Sequence, residues 1–490
     1  FFNSGGTLNQ IAGDLRINGH APTGNSDVLN VDDSGDAAAN TGTNAGNLTL
    51  NQITGLGMAV GITYNTIETV NIFFGSNVDE FTVESTHGGA TNLNGNNGAD
   101  IFNIRTISGN TTVNSGNGAD TINVGSNAQG DTVTRDDNSG GTVNGIAALL
   151  IVNGNGTGSD RDLLTVDDTG DGANNTGNLT MTQLTGLGMG NANQTFVDPV
   201  LGITYGTLED IVISLGTGAD IFTIGSTHNG ATGGTNETTI VNTGAGLDTI
   251  NIDGASDTLG VNGEDDVDTF NVNNTAAGSV STLHGNADND VFNIRGMNGT
   301  VNVRGDDDDD TVNVTDVAPV ISTGSRTVAT GSIDDINGFL DVEGGSGSGD
   351  VMNVDDSRAD ASNGKSGTLT ESTIRGLDLD IGIDYLELEE LNIWLGFGDN
   401  VFDINSTHDG ETTLHTAQGE DTVNVNDASG LVTVNTEQQN DIINVRATSL
   451  NSELRINGQE GNDTINLSDA SPSRPADYTS TPQAPAPAAE

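Results

Sequence analysis

The sequence lacks cysteine, has one lysine and one tryptophan, and is poor in basic residues overall. Without cysteine, neither disulfide bonds nor thiol chemistry can stabilise the chain, which fits a secreted protein that is stabilised by something else. Thirteen basic residues stand against 69 acidic ones, for a net charge of −56. Because so few groups can neutralise phosphates, we predict no nucleic-acid partner and no binding to an anionic membrane surface. This charge balance favours cations instead.

Long apolar runs and helical patterns are also missing. No apolar stretch approaches the roughly 20 residues of a membrane-spanning helix, so we predict no membrane insertion. No long stretch has apolar residues at helical spacing, and the 69 glycines interrupt any candidate helix. Few aromatic residues and high charge are typical of disorder. Regularly spaced apolar residues override that expectation, because they can bury a continuous, narrow core.

What the sequence does contain is a short repeat of about 20 residues. Residues 95–104 read Gly-Asn-Asn-Gly-Ala-Asp-Ile-Phe-Asn-Ile, and residues 116–124 read Gly-Asn-Gly-Ala-Asp-Thr-Ile-Asn-Val. Apolar residues two apart share one face of a strand, so the unit is a glycine-rich turn followed by a short strand with one wet and one dry face. Fifteen copies are present, and their Asp position is Asp27, Asp79, Asp100, Asp120, Asp162, Asp220, Asp248, Asp268, Asp290, Asp310, Asp350, Asp421, Asp441 and Asp463, with Asn400 once in its place.

The period of this repeat predicts the fold. Many consecutive Asp positions are 20 to 22 residues apart, which is typical of a solenoid. A second apolar pair begins nine residues before many of them, as Leu454 and Ile456 precede Asp463. Each coil should therefore have two short strands, a six-residue glycine turn at one edge and a longer turn at the other. We predict an all-β parallel β-solenoid (β-helix or β-roll) with coils of about 20 residues, an apolar core between two sheets, and outward ladders of Asn and Thr.

A longer repeat is superimposed on the short one. The segment Leu-Asn-Val-Asp-Asp-Ser-Gly-Asp at 29–36 returns at 164–171 and, with one insertion, at 352–360. Each copy is followed by a Thr-Gly-Leu or Arg-Gly-Leu turn and then by an Ile-Thr-Tyr or Ile-Asp-Tyr segment. We therefore divide the chain into a first solenoid long repeat at 1–149, a second with extra coils at 150–338, a third at 339–453, the start of a fourth at 454–470, and a Pro/Ala-rich tail at 471–490.

Two patterns within the long repeat invite a chemical interpretation. The Asp-Asp-Ser-Gly-Asp motif at 32–36 has oxygen ligands at loop spacing but lacks the helix–loop–helix calcium pattern, so a solvated turn explains it equally well. His87, His228 and His408 occupy one repeat position and are 141 and 180 residues apart. Since residues on distant coils cannot converge on one metal, we predict that these histidines are structural turn residues.

The glycine turns resemble the Gly-Gly-x-Gly-x-Asp-x-apolar-x repeat of the repeats-in-toxin family of calcium-binding β-rolls. The nearest matches are at 95–102, 115–122, 243–250 and 458–465. In that family, turn carbonyls and the Asp carboxylate bind calcium between neighbouring coils. Here only one edge of each coil has Gly-x-Asp turns, so the resemblance implies a calcium row along a single edge. About the first 470 residues also resemble long-repeat segments of giant bacterial surface proteins.

We predict calcium as the cofactor of the glycine turns. Stacking one Asp per coil places like charges about 5 Å apart, and a hard dication between them relieves the repulsion. The alternative is that Asp caps turn amides without any metal. The densest acidic run is at 306–310. The predicted metal ligands are Asp100, Asp120, Asp248, Asp268, Asp290, Asp310, Asp421, Asp441 and Asp463.

These patterns predict an extracellular or cell-surface rod with a structural or adhesive function, stabilised by calcium. Cell-surface polysaccharide and further copies of the chain are the candidate macromolecular partners. The alternative is a polysaccharide-active β-helix enzyme, a lyase or hydrolase, which would use paired carboxylates or a basic residue in a groove. Carboxylates recur at repeat positions, and no unique cluster combines them with Arg, Lys and aromatic residues. We therefore predict that the protein is not an enzyme and has no catalytic residues.

Overall fold

The computed structural model describes residues 5–20, 27–154, 160–190, 201–228, 237–319, 331–358, 364–446 and 452–468. Within these residues the chain forms 39 β-strands and one short 3₁₀ helix, Gly42–Asn44. The predicted tail at 471–490 lies outside the described residues.

The strands are numbered in chain order. In the first long repeat they are β1 (Asp14–Asn18), β2 (Val28–Asp32), β3 (Gly46–Thr49), β4 (Gln52–Thr54), β5 (Gly61–Asn65), β6 (Thr69–Phe73), β7 (Glu80–Val83), β8 (Ala90–Asn94), β9 (Ile101–Ile104), β10 (Thr111–Asn114) and β11 (Thr121–Val124). In the second they are β12 (Leu150–Asn153), β13 (Leu163–Asp167), β14 (Thr176–Thr180), β15 (Gln183–Gly186), β16 (Ile203–Gly206), β17 (Asp210–Ser214), β18 (Ile221–Ile224), β19 (Thr238–Asn242), β20 (Thr249–Ile252), β21 (Thr258–Asn262), β22 (Thr269–Val272), β23 (Val280–Asn286), β24 (Val291–Ile294), β25 (Thr300–Asp306) and β26 (Thr311–Val314). The remaining strands are β27 (Phe339–Gly345), β28 (Val351–Asp355), β29 (Ser366–Leu369), β30 (Thr373–Gly376), β31 (Gly382–Leu386), β32 (Glu390–Trp394), β33 (Val401–Ile404), β34 (Glu411–His415), β35 (Thr422–Val425), β36 (Leu431–Asn435), β37 (Ile442–Val445), β38 (Leu454–Asn457) and β39 (Thr464–Leu467).

The strands form two long sheets, which we call sheet A, with 21 strands, and sheet B, with 18. Outside three short meanders the chain crosses from one sheet to the other between consecutive strands, so each coil contributes one strand to each sheet. Strands of successive coils pair in parallel and in register: Phe81 lies beside Phe102, which lies beside Ile122. The predicted all-β parallel solenoid is confirmed.

The core lies between the two sheets and is built from the predicted apolar pairs. Phe102 and Ile294 are at most 1% exposed. Aromatic residues stack along the axis where they share a register position, as Phe270 and Phe292 do with ring centroids 4.7 Å apart. Burial of each such side chain contributes about 1.5–3 kcal/mol. Every coil therefore adds a similar apolar layer, and the core is long and thin.

Asparagine ladders line the outer faces, as predicted. From β22 to β32 the Nδ2 atom of each Asn donates to the Oδ1 atom of the Asn one coil earlier, at 3.0–3.1 Å. The first acceptor is Asn251, and the donors are Asn271, Asn293, Asn313, Asn353 and Asn392. The outward face of the strands, which we predicted to be exposed to solvent, is buried in places. Asn103 and Asn123 are buried because a loop covers them, and their amides donate to the carbonyls of Gly130 and Arg135.

Three antiparallel meanders interrupt the coils, one in each long repeat. They are β3–β4–β5 in sheet A, β14–β15–β16 in sheet B and β29–β30–β31 in sheet A. In all three, a buried tyrosine closes the meander. The hydroxyls of Tyr64, Tyr205 and Tyr385 donate to the carbonyls of Thr49, Thr180 and Thr370, respectively. Each meander adds two strands to one sheet only, and thereby changes how the coils connect.

The meanders move the glycine turns from one edge of the solenoid to the other. We call the edge where the chain passes from sheet A to sheet B edge I, and the opposite one edge II. Asp27 is at edge I, because it immediately precedes β2 of sheet B, which follows β1 of sheet A. The turns at 79–162 are at edge II, those at 220–350 at edge I, and those at 400–463 at edge II. Parallel strands of one sheet have all their carboxyl ends at one edge. The prediction that one edge holds every glycine turn is therefore wrong.

Candidate functional site

Each glycine turn ends in an Asp, or once Asn400, that immediately precedes a strand, and these residues stack from coil to coil. The backbone N–H of Asp100 donates to Oδ1 of Asp120 at 2.7 Å, and that of Asp268 donates to Oδ1 of Asp290 at 2.6 Å. The last N–H of a turn has no acceptor within that turn, and the carboxylate of the next coil supplies one. We call such a stack a ladder.

Three ladders follow the three meanders. Ladder 1 consists of Asp79, Asp100, Asp120 and Asp162 at edge II. Ladder 2 consists of Asp220, Asp248, Asp268, Asp290, Asp310 and Asp350 at edge I. Ladder 3 consists of Asn400, Asp421, Asp441 and Asp463 at edge II.

A glutamate closes ladders 1 and 2. The last N–H of ladder 1, from Asp162, donates to Glu209 at 2.8 Å, and the last N–H of ladder 2, from Asp350, donates to Glu389 at 2.9 Å. Glu68 accepts from Asp27 at 2.7 Å in the same way before ladder 1 begins. Sequence reasoning missed these glutamates, although each occupies the same position just after a meander.

The second oxygen of most ladder carboxylates is buried without a hydrogen-bond partner. This holds for Oδ2 of Asp100, Asp120, Asp162, Asp220, Asp248, Asp290, Asp310, Asp350, Asp421 and Asp441. Glycine makes room for this oxygen: a Cβ atom on Gly305 would lie 2.2 Å from Oδ2 of Asp310 and 2.1 Å from the Gly344 carbonyl oxygen. The two oxygens lie so close to the Gly305 α-carbon that no side chain fits at this position.

Burial raises the pKa of these carboxyls. Desolvation is the main cause and neighbouring aspartates add to it: the pKa of Asp100 rises to about 9 and those of Asp268 and Asp310 to about 8. Burial likewise raises the pKa of Asp248, Asp290 and Asp421 to about 7. A ladder without a counter-ion therefore retains protons at neutral pH on some of its carboxyls.

Ladder 1 has a basic neighbour. Arg135 donates to the carbonyls of Ala99 and Ala119, at 2.8 and 2.7 Å, which places its guanidinium over the turns of Asp100 and Asp120. Its charge lowers the pKa of both carboxyls and opposes part of the effect of burial. Among the described residues no basic side chain forms an ion pair with Asp248, Asp268, Asp290 or Asp310 of ladder 2, and the same holds for Asp421 and Asp441 of ladder 3.

The predicted metal ligands all lie in the ladders, but the hydrogen bonds between coils occupy one oxygen of each carboxylate. Eight of the nine are at most 2% exposed, and Asp463, in the last described coil, is half-buried. Within the described part of the chain, no group of three or more His, Asp or Glu side chains is arranged to hold a metal ion. Calcium binding stays a prediction, supported by the unpartnered oxygens.

The three repeated histidines are packed into turns. His228 contacts the Thr239 hydroxyl at 3.0 Å and the Glu209 carbonyl at 3.1 Å. The rings of His87 and His408 lie 6.0 Å, edge to face, from those of tyrosines in the preceding meander. Burial lowers the pKa of His87 and His408. These contacts agree with a structural role for each histidine within its own turn.

Comparison of the chain with models of protein families, with curated proteins and with solved structures gives no match. No helix in the described residues is long and apolar enough to cross a membrane. The functional argument accordingly rests on the ladders and on the solenoid that holds them.

Proposed function

We propose that this chain is a stiff structural or adhesive rod of an extracellular or cell-surface protein. The observation that carries the proposal is the continuity of the two sheets, in which strand pairing runs without a break from β1 to β39 in sheet A and from β2 to β38 in sheet B. Backbone hydrogen bonds and amide ladders run along the rod axis. Bending the rod therefore strains many bonds at once, which suits a spacer or a display scaffold.

Calcium is the proposed ligand of the ladders. The Oδ2 atoms of Asp248, Asp268, Asp290 and Asp310, with adjacent carbonyls such as that of Gly305, would hold it. Carboxylate and carbonyl oxygens suit calcium, and flexible turns suit it better than magnesium, which demands tighter octahedral geometry. An ion that binds only the folded rod stabilises it by mass action. Bound calcium would also replace the protons that a metal-free ladder retains.

The experiment is thermal unfolding of the full chain in chelator, in millimolar calcium, and in sodium chloride of equal ionic strength. Calcium should raise the midpoint well beyond the effect of sodium, and magnesium should raise it less. Asp268→Asn should weaken the response, whereas Asp266→Asn, an exposed Asp of the same turn, should leave it intact. Identical thermal unfolding curves in chelator and in calcium would disprove the calcium proposal without contradicting the proposal that the chain is a rod.

Partner and turnover assays separate the functional classes. An adhesive rod should bind cell-surface polysaccharide or other copies of the chain without changing them. Depolymerisation of a polysaccharide by the purified chain would instead favour the β-helix enzyme. A passive scaffold would neither bind these partners nor depolymerise a polysaccharide.

A further inference from the structure

Three side chains on successive coils of the third long repeat contact one another. Trp394 ends β32, His415 ends β34, and the two residues are neighbours in the register of sheet B. Their rings are stacked, with centroids 5.6 Å apart and planes 6° from parallel. The Nδ1 atom of His415 lies 2.9 Å from Oε1 of Glu437, in the turn that follows β36. The three side chains, which we call the clasp, therefore connect three consecutive coils.

The clasp is buried, although its strand positions alternate with the inward ones. Trp394, His415 and Glu437 are at most 5% exposed. The second long repeat has a similar pair, because His284 lies 2.9 Å from Asp306 and the two are also 22 residues apart, but their side chains are 36% and 35% exposed. A solvated pair contributes little to stability, whereas loss of one charge from a buried pair leaves the other uncompensated. The protonation of His415 therefore has the larger consequence.

The first and second long repeats have no ionisable side chain at the position of His415. Strands β8 and β19 stand where the third repeat has β34, and they end in Asn94 and Asn242. The two amides donate to the carbonyl of Ile72 and to the hydroxyl of Ser214, at 3.3 and 3.1 Å. A neutral amide makes such contacts at any pH. The third repeat alone thus has a group here whose charge can change.

Glu437 is the acidic partner of His415. The other charged side chains on the elements around the clasp are Asp355, Glu390, Asp399, Glu411, Glu420, Asp421, Asp441 and Arg455. Within the described part of the chain, none of these forms a hydrogen bond or an ion pair with His415 or with Glu437. The charge of Glu437 is therefore compensated there by His415 or by nothing.

A protonated His415 is complementary to both of its neighbours. Its charge attracts the Glu437 carboxylate, and a cation over the face of an indole ring is stabilised by the charge distribution of that ring. A neutral His415 keeps the packing but leaves Glu437 as a buried carboxylate without a counter-charge among the described residues. Histidine is the side chain whose charge ordinarily changes between pH 5 and pH 8.

We propose that the clasp is a proton-dependent link, which ties the turn at 436–441 to the two preceding coils when His415 is charged and loosens when His415 loses its proton. Its contribution to local stability is complete at the acid end of the range and is lost as the pH rises. The equivalent amides of the other repeats do not respond. The rod thus has one segment whose stability responds to protons separately from the ladders.

The single tryptophan of the chain makes the clasp directly observable. Emission of Trp394 is recorded in the full chain from pH 5 to pH 8.5, because an imidazolium stacked on an indole quenches emission more than a neutral imidazole does. Emission should rise along a one-proton curve in the wild-type chain, and this rise should be absent in His415→Gln. The matched control His284→Gln, which removes the exposed pair, should keep the wild-type curve. A flat wild-type curve, or the same rise in His415→Gln, would overturn the proposal.

Hydrogen exchange at 436–441, corrected for its intrinsic pH dependence, tests the link itself. His415→Gln supplies the baseline, since Asp421 of ladder 3, with a pKa of about 7, titrates in both chains. Wild-type protection should exceed that baseline on the order of tenfold at pH 5 and approach it at pH 8.5. Glu437→Gln should reverse the sign, because acid then creates a buried imidazolium without a counter-charge. Circular dichroism verifies the fold of each variant, and wild-type protection equal to the baseline at both pH values would disprove the link.

Discussion

At the scale of single residues, most ladder carboxyl groups have one oxygen that accepts a hydrogen bond and one buried oxygen without a hydrogen-bond partner. Oδ1 of Asp290 accepts an N–H from Asp268, while Oδ2 of Asp290 is buried beside the α-carbon of Gly285. Leaving a buried polar atom unpaired costs about 1–3 kcal/mol. Protonation removes that cost, and the proposed calcium would do the same, so we expect the stability of the rod to depend on pH and on calcium.

The first prediction concerns pH in metal-free buffer. The pKa values of Asp268 and Asp310 are about 8 in the folded chain, against an ordinary value of 3.8. Their contribution to the free energy of unfolding is therefore complete below pH 3.8 and is lost as the pH rises through about 8. The midpoint of thermal unfolding in chelator should fall between pH 5 and pH 8.5.

Each such carboxyl contributes a slope of at most about 1.4 kcal/mol per pH unit. Asp268→Asn should flatten the pH dependence, and Asp266→Asn, which changes net charge equally at an exposed position, should not. Equal stability at pH 5 and pH 8.5 in chelator would show that these carboxyls do not titrate in this range. Added calcium should stabilise more at pH 8.5 than at pH 5, because protons and calcium compete for the same oxygens.

A second prediction concerns the core. Ile294→Asp places an unpaired charge between the sheets and should cost several kcal/mol. Val280→Asp, at a position that is 41% exposed, is the matched control. Because coils contact only their neighbours, the damage should stay within the adjacent coils. Limited proteolysis with mass spectrometry should find new cleavage near 294 in the first variant only, and unaltered resistance there would contradict the inward position of Ile294.

At the scale of elements, the apolar pairs and turn aspartates are predictable because spacing alone fixes which face of a strand they occupy. The orientation of an Asp carboxylate is not predictable in this way. The same residue at the same spacing can leave its carboxylate free or bond it to the next coil. The meanders were visible as Thr-Gly-Leu and Ile-Thr-Tyr segments. The sequence did not show that the meanders move the glycine turns between edge I and edge II, because this depends on which sheet receives the two added strands.

The meanders give the third prediction. Burial raises the pKa of Tyr64 to about 12, and its hydroxyl donates to the Thr49 carbonyl across the meander. Tyr64→Phe removes that hydrogen bond and should cost about 1 kcal/mol. Hydrogen exchange should quicken at 46–65 and stay unchanged in the third long repeat, where Tyr385 makes the equivalent bond. Exchange that quickens equally in both repeats would refute a local role.

At the scale of the whole molecule, strand number sets the length. Sheets of 18 and 21 strands, spaced by about 4.8 Å, give a rod of roughly 85–100 Å. A globular chain of 490 residues would have a radius of gyration of about 23 Å, whereas a thin rod of that length has about 25–29 Å. Small-angle X-ray scattering separates these outcomes, and a globular profile would disprove the elongated form.

The change of edge at each meander has an electrical consequence. Carboxylates confined to one edge would give the rod a dipole moment across its width. Ladder 2 lies at edge I and ladders 1 and 3 lie at edge II, so their contributions to that moment point in opposite directions and largely cancel. A flat cationic surface that touches one edge along the entire rod meets ladder carboxylates only in stretches, and a rod rolled by half a turn presents the complementary stretches.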